Sequence, residues 1–274
     1  MSILADPAPK LSVRAVTSFA YANVFRRLGL VLELGWIPII ALLGGMILPS
    51  LLSPKTVGVD DAFSVGPADM VQALVAFLSL SAFAVRWHQA LLLGDPRRLP
   101  PATFFRGWLR FMLYLLLVYM LVAVILALSV LGFSRIGTSG IGEVSLEIGA
   151  IALSLAAVGA ILRCCLLFPA AAIGAPLGFR EAWTRMRGNG WRLGIASILN
   201  GVPVMVVFGV IASALLIAAL PDDPDMATAP PMGLVIMSGV IETIADILLV
   251  ALGASLLSAY YRGLVEGKPL TASA

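Results

Sequence analysis

The stretch Trp108-LRFMLYLLLVYMLVAVILALSVLG-Phe133 decides how this chain folds. From Phe111 to Phe133 it holds no charged side chain. At 1.5 Å rise, about 20 such residues are enough for a helix to cross a hydrocarbon layer about 30 Å thick. Lipid offers no partner for backbone N–H and C=O groups, so the run reads as a helix and not a strand. Five similar runs flank it, roughly Leu28–Leu52, Asp69–Gly94, Ile148–Ile173, Trp191–Leu220 and Gly233–Tyr261. The expected fold is all-α: a polytopic membrane bundle of six transmembrane helices in three hairpins, each preceded by a cytoplasmic interfacial amphipathic helix.

Composition agrees. Of 274 residues 60% are hydrophobic and 12% charged, about half the charged fraction of a soluble domain, and the mean hydropathy is +1.02. The gaps between runs are too short for a separate catalytic domain, which needs at least about 50 residues. Three parts are expected: a segment 1–27 carrying an interfacial helix, a six-helix domain 28–262, and a tail 263–274. Because the first apolar run is full length and follows a polar, basic segment, it reads as a retained span and not a cleaved signal. With Met1 in place, the chain reads as a complete small polytopic protein.

A net charge of +3 and a pI near 9.1 invite a nucleic-acid reading, which the placement of the charges excludes. Of 18 Lys and Arg residues, only Lys55 and Arg135 fall on one side of the predicted spans. Short loops with this bias obey the positive-inside rule, so both termini are expected in the cytoplasm. Asp60, Asp61, Glu143, Glu147, Asp222, Asp223 and Asp225 fall opposite. The only cysteines, Cys164 and Cys165, are adjacent and read as soft packing residues.

The basic-side segments share a plan. Before span one lies Arg14–Arg27, with Phe19 and Phe25; before span three lies Pro101–Phe111, with Phe104, Phe105, Arg106, Trp108 and Arg110; before span five lies Gly178–Arg187. In the last, Phe179, Trp183 and Met186 fall on one helical face while Arg180, Thr184 and Arg187 line another. Phe104, Phe105 and Trp108 are expected to turn together toward lipid. Such helices settle at the headgroup boundary, rings inward and guanidinium groups outward. The even-numbered spans end in Arg86, Arg163 and Arg262. Three tandem repeats would explain this plan, as would convergence on one interfacial design.

At Thr17–Arg27, Ala84–Asp95 and Phe179–Arg192 the chain resembles a group of uncharacterised bacterial inner-membrane proteins similar to the membrane domain of glycerophosphodiester phosphodiesterases. Arg86-Trp87-His88, Ala182-Trp183 and Gly188-Asn189-Gly190-Trp191 carry the likeness most clearly. The resemblance implies a six-helix fold in a bacterial inner membrane. It brings no catalytic residues, since the phosphodiesterase barrel is absent.

No zinc-protease motif, P-loop or dinucleotide fingerprint is present, and one histidine does not build a His-rich metal site. No catalytic, cofactor-binding or metal-ligating residue is nominated. Ionisable residues inside spans are the better pointers, each costing about 2.5–3.5 kcal/mol at mid-bilayer on insertion scales. Span six carries Glu242 and Asp246 one turn apart; span five carries Asn200 beside Gly201 and Pro203, where a kink and a freed carbonyl are expected. Together Asn200, Glu242 and Asp246 form a candidate polar pocket for a proton or cation, or else fix packing. Glu33, Arg86, His88 and Arg163 form a second candidate cluster near the cytoplasmic boundary. It is either a structural clamp with an ion pair from Glu33 to Arg86 or Arg163, or a headgroup or anion site. His88 would titrate near neutrality if open to water. Ala152, Ala156 and Ala160, with Gly149 and Gly159 nearby, predict a span four buried at the centre, or a dimer face.

The function expected is non-enzymatic: a membrane protein whose basic, aromatic rim binds anionic lipid or a membrane partner. Phe104, Arg106, Trp108, Arg110, Phe179, Arg180, Trp183 and Arg187 are the expected lipid contacts. A small transporter or channel using helices five and six is the alternative.

Overall fold

The computed structural model describes residues 9–52, 66–95, 99–134, 141–218 and 232–270, and these are helical apart from short connections, with no strand among them. In chain order the helices are α1 (Val13–Arg26), α2 (Leu28–Leu52), α3 (Pro67–Leu92), α4 (Pro101–Ser134), α5 (Ile141–Cys164), α6 (Leu167–Ile173), α7 (Phe179–Arg185), α8 (Gly190–Ala218) and α9 (Met232–Leu264). Six stretches among the described residues are long and apolar enough to cross a membrane: Leu28–Gly45, Asp69–Leu92, Pro101–Ile125, Ile151–Ile173, Gly190–Leu215 and Ile236–Leu264. The chain is an all-α, multi-pass integral membrane protein. Lys55, Asp60, Asp61, Arg97, Arg98, Arg135, Asp222, Asp223 and Asp225 lie outside the described residues, as do the side chains of Glu143 and Glu147.

Local chemistry sets the helix ends. Pro67 opens α3, and the Asp69 carboxylate accepts the Gly66 N–H at 2.8 Å. Pro101 opens α4 in the same way. Pro169 lacks the N–H that would reach the Cys165 carbonyl, and the Phe168 N–H takes that carbonyl instead at 3.2 Å; there span four breaks into α5 and α6. Gly174, at φ +73°, ends α6 in the left-handed conformation that suits glycine.

Burial is concentrated at the arginine-rich end. Val16, Phe19, Phe83, Trp87, Leu166, Met186, Leu193, Leu256 and Tyr260 form one core there. The axle is α9, whose span is 39% buried, against 6% for that of α4. The α4 surface is apolar nearly all round, as a lipid-facing helix requires. Small residues on α9 (Ala251, Ser255, Ser258 and Ala259) are wholly buried and let its neighbours approach. Across this seam the Trp87 indole donates to the Ser255 hydroxyl at 2.8 Å, Ser255 donates to the Ala251 carbonyl at 2.7 Å, and His88 Nδ1 meets the Ser258 hydroxyl at 2.8 Å.

The alanine stripe of span four belongs elsewhere. Ala152 and Ala156 are exposed, and a Cβ added at Gly149 or Gly159 would meet nothing within 4 Å. Helix α5 is peripheral, so the expected burial at the centre is corrected. Close approach occurs instead at Gly107, where an added Cβ would lie 2.6 Å from the Ala172 carbonyl oxygen. Glycine at 107 is what lets α4 touch the α6 backbone.

The three prefaces take three forms. Helix α1 packs on α8 and α9 through Val16, Phe19, Ala20, Asn23 and Val24. Before span three there is no separate helix: residues from Pro101 onward are the first turns of α4 itself. Helix α7 is a short link whose buried side chains are Ala182 and the following Met186; Phe179 and Trp183 are exposed, so Met186 does not share their outward face. Arg185 ties it down, pairing with Glu181 at 2.8 Å and donating to the Leu264 carbonyl at 2.8 Å.

Candidate functional site

Four times at the arginine-rich end an exposed aromatic ring directly precedes an arginine: Phe25-Arg26, Phe105-Arg106, Phe179-Arg180 and Trp191-Arg192. The rings are 51%, 57%, 53% and 59% exposed, and the first three arginines are exposed beside them. Adjacent residues on a helix point about 100° apart, so each pair offers a ring and a charge to different depths of one boundary. Of the expected lipid contacts, Arg106, Arg110, Phe179, Arg180, Trp183 and Arg187 are exposed. Phe104 and Trp108 are half-buried beside the exposed Phe105, whose ring lies 6.0 Å from that of Trp108. Phe104 and Trp108 stack on each other with centroids 6.3 Å apart, and the Trp108 indole donates to the Ser81 hydroxyl at 2.9 Å. The Ser81 partner on α3 draws them inward.

Glu33, Arg86, His88 and Arg163 do not form one cluster. Glu33 and Arg86 share a groove of about 600 Å³ between α2, α3 and the start of α4, and the Arg86 guanidinium carbon lies 4.2 Å above the Phe104 ring. His88 turns the other way, 1% exposed, between Ser258 and the Phe111 ring. It is closed to water, so the condition for titration near neutrality is not met. Arg163 is on the outside of the bundle, 4.7 Å over the Trp183 ring, joining α5 to α7. It does not line the groove with Glu33.

Asn200, Glu242 and Asp246 are also set apart. Gly201 packs against Leu249, so Asn200 is level with about residue 250, about 6 Å along α9 from Asp246 and about 12 Å from Glu242. Glu242 is exposed, Asp246 half-buried, and Asn200 only 3% exposed. None of them lines the groove. The freed carbonyl expected at Pro203 is present: that residue cannot donate to the Leu199 carbonyl, and the Tyr21 hydroxyl of α1 does so at 3.2 Å, also reaching the Asn200 carbonyl at 3.2 Å. Burial pushes the Tyr21 phenol above its usual pKa, which keeps it a donor.

Sequence reasoning missed Asn189. It is fully buried, its Oδ1 accepting the Leu11 N–H at 3.0 Å and its Nδ2 donating to the Pro9 carbonyl at 3.1 Å. Arg192 adds a bond to the Leu11 carbonyl at 3.0 Å. Gly188, at φ +79°, makes the turn that presents Asn189, which gives the Gly188–Trp191 motif its physical role. Among the described residues no three His, Cys, Asp or Glu side chains gather as a metal site requires.

Comparison with protein-family models, curated proteins and solved structures finds no match.

Proposed function

We propose that this chain is a non-enzymatic protein of a bacterial cytoplasmic membrane, with both termini inside, whose arginine-rich rim binds anionic phospholipid. The observation that carries the reading is the set of four exposed aromatic rings, each followed by an arginine, at one end of the bundle, three of those arginines being exposed as well. Exposed rings are unfavourable in water and favourable in the acyl boundary, while guanidinium groups favour anionic headgroups just above. Near such a surface each arginine contributes about 1 kcal/mol, an effect that salt weakens.

The test is lipid analysis of purified protein with and without the fourfold change Arg106→Gln, Arg110→Gln, Arg180→Gln and Arg187→Gln. Enrichment of anionic lipid over bulk membrane in the native chain, lost in the variant and at high salt, is expected. Native protein carrying anionic lipid only in bulk proportion refutes it.

A second reading, transport through α8 and α9, draws on Asn200, whose side-chain amide is buried and has no protein hydrogen-bond partner. It predicts a flux in liposomes that Asp246→Asn abolishes. Undiminished flux in that variant removes Asp246 from the reading.

A further inference from the structure

A second groove runs along α4, where it meets α5 and α6. Its upper part, about 270 Å³, is lined by Arg110, Tyr114, Ala171 and Pro176, and its lower part, about 130 Å³, by Leu121, Ala160, Cys164 and Phe168. Tyr114 and Leu167 line both, so the two parts are continuous. On α4 the lining recurs at Arg110, Tyr114, Leu117 and Leu121, one face of a helix, and descends about 16 Å from the guanidinium to the lower end. Arg110 is the last charge before the uncharged run from Phe111, so it marks the headgroup level, with the rest of the face among acyl chains.

The upper part offers one open charge. Among the described residues Arg110 has no ion pair, hydrogen bond or ring contact, and no carboxylate lines either part. The α6 carbonyls that end there are satisfied: Ala170 accepts the Ala175 N–H at 2.8 Å and Ala171 the Gly174 N–H at 3.1 Å. The Tyr114 ring stands edge-on to Phe179, centroids 5.6 Å apart, and its hydroxyl donates to no described residue. Arg110 and Tyr114 thus present donors without a protein acceptor, which a phosphate ester supplies.

We propose that this groove holds one anionic glycerophospholipid, its phosphate on Arg110 and Tyr114 and one acyl chain between α4 and α5 toward Leu121 and Ala160. Leu113 and Leu117, both exposed, give the second chain apolar surface beside the first. A zwitterionic headgroup finds no carboxylate for its ammonium. The proposal rests on the rim reading for the sign of the lipid and adds to it a fixed position and a stoichiometry of one.

The experiment is native mass spectrometry of the full chain released from vesicles of equal parts phosphatidylglycerol and phosphatidylcholine. The native chain is expected to keep one phosphatidylglycerol under activation that strips the rest. Arg110→Gln lowers that retention about tenfold, the loss of a charge-assisted hydrogen bond. Ala160→Phe fills the lower part with every charge intact and removes the lipid, whereas Leu155→Phe, on the exposed face of the same helix, keeps it. No single retained lipid, equal retention of the choline lipid, or retention unchanged in Arg110→Gln or Ala160→Phe overturns the proposal. The triple change Arg106→Gln, Arg180→Gln and Arg187→Gln separates the two readings: it loses the loosely held phosphatidylglycerol and keeps the single one. Loss of the single lipid there would assign it to the rim at large and overturn the groove, while anionic enrichment that Ala160→Phe leaves untouched would sink the groove and spare the rim.

Discussion

Replacing Gly107 with alanine places a methyl group 2.6 Å from the Ala172 carbonyl oxygen and 3.2 Å from both the Ala171 oxygen and the Ala172 carbonyl carbon. All three atoms are backbone, so no side chain can swing away. Ordinary contact begins near 3.4 Å, and α4 and α6 must part by about 0.8 Å. The same Ala172 carbonyl accepts the buried Gln89 amide at 2.8 Å, and the Phe111–Phe168 ring pair one turn deeper has centroids 5.1 Å apart. Overpacking costs about 1–3 kcal/mol, and stretching the Gln89 bond adds about 1 kcal/mol. Helix propensity returns about 1 kcal/mol. The net expectation is a loss of about 1–3 kcal/mol. Gly159→Ala, facing open space, gains the propensity term alone. Equilibrium unfolding in mixed micelles, titrated with denaturing detergent and followed by circular dichroism, should separate the variants by about 2–4 kcal/mol. Equal stability of the two would refute the close approach of α4 to α6.

Tyr21→Phe strands the Leu199 carbonyl beside Pro203 and is expected to cost about 1 kcal/mol in the same unfolding measurement. Because burial raises the Tyr21 pKa, its contribution is full below the ordinary phenol value and fades as pH climbs through the raised one. An alkaline titration should therefore destabilise the native chain and leave Tyr21→Phe less affected. Asn189→Ala frees Pro9 and Leu11; limited proteolysis near the N-terminus should accelerate several-fold while the spans stay intact. Arg163→Leu should express and fold, losing about 0.5–1 kcal/mol, and a double-mutant cycle with Trp183→Leu should show coupling between them. Loss of expression, or no coupling, would rule out that contact.

The spans were readable because hydrocarbon imposes one rule on every crossing segment. Which face of a span meets protein was not, because lipid tails and a protein core are equally apolar. The small residues of α5 and of α9 illustrate this. Ala152, Ala156 and Ala160 have the regular spacing, yet Ala251, Ser255 and Ser258 form the buried seam, and only the latter hold hydroxyls that a partner can satisfy. Polar partners decided other cases as well. Trp108 turned inward toward Ser81, and the freed carbonyl at Leu199 found Tyr21, 178 residues away. Glu33 and Arg86 were legible as neighbours because they sit near the same end of one hairpin. Arg163 was not separable from them without knowing that α5 is peripheral. The aromatic–arginine pairs needed no structure to be seen, since adjacency in the chain is their whole signature.

The anchoring of Pro9 and Leu11 also bears on the order of assembly. Their holding points, Asn189 and Arg192, lie at the start of the fifth span, and Leu11 also fits against Gly263, near the end of the last. The first helix synthesised therefore waits for nearly the whole chain before its apolar face is covered. A ribosome stalled before the sixth span would leave the part of that face that packs on α9 uncovered, with only α8 in place beside it.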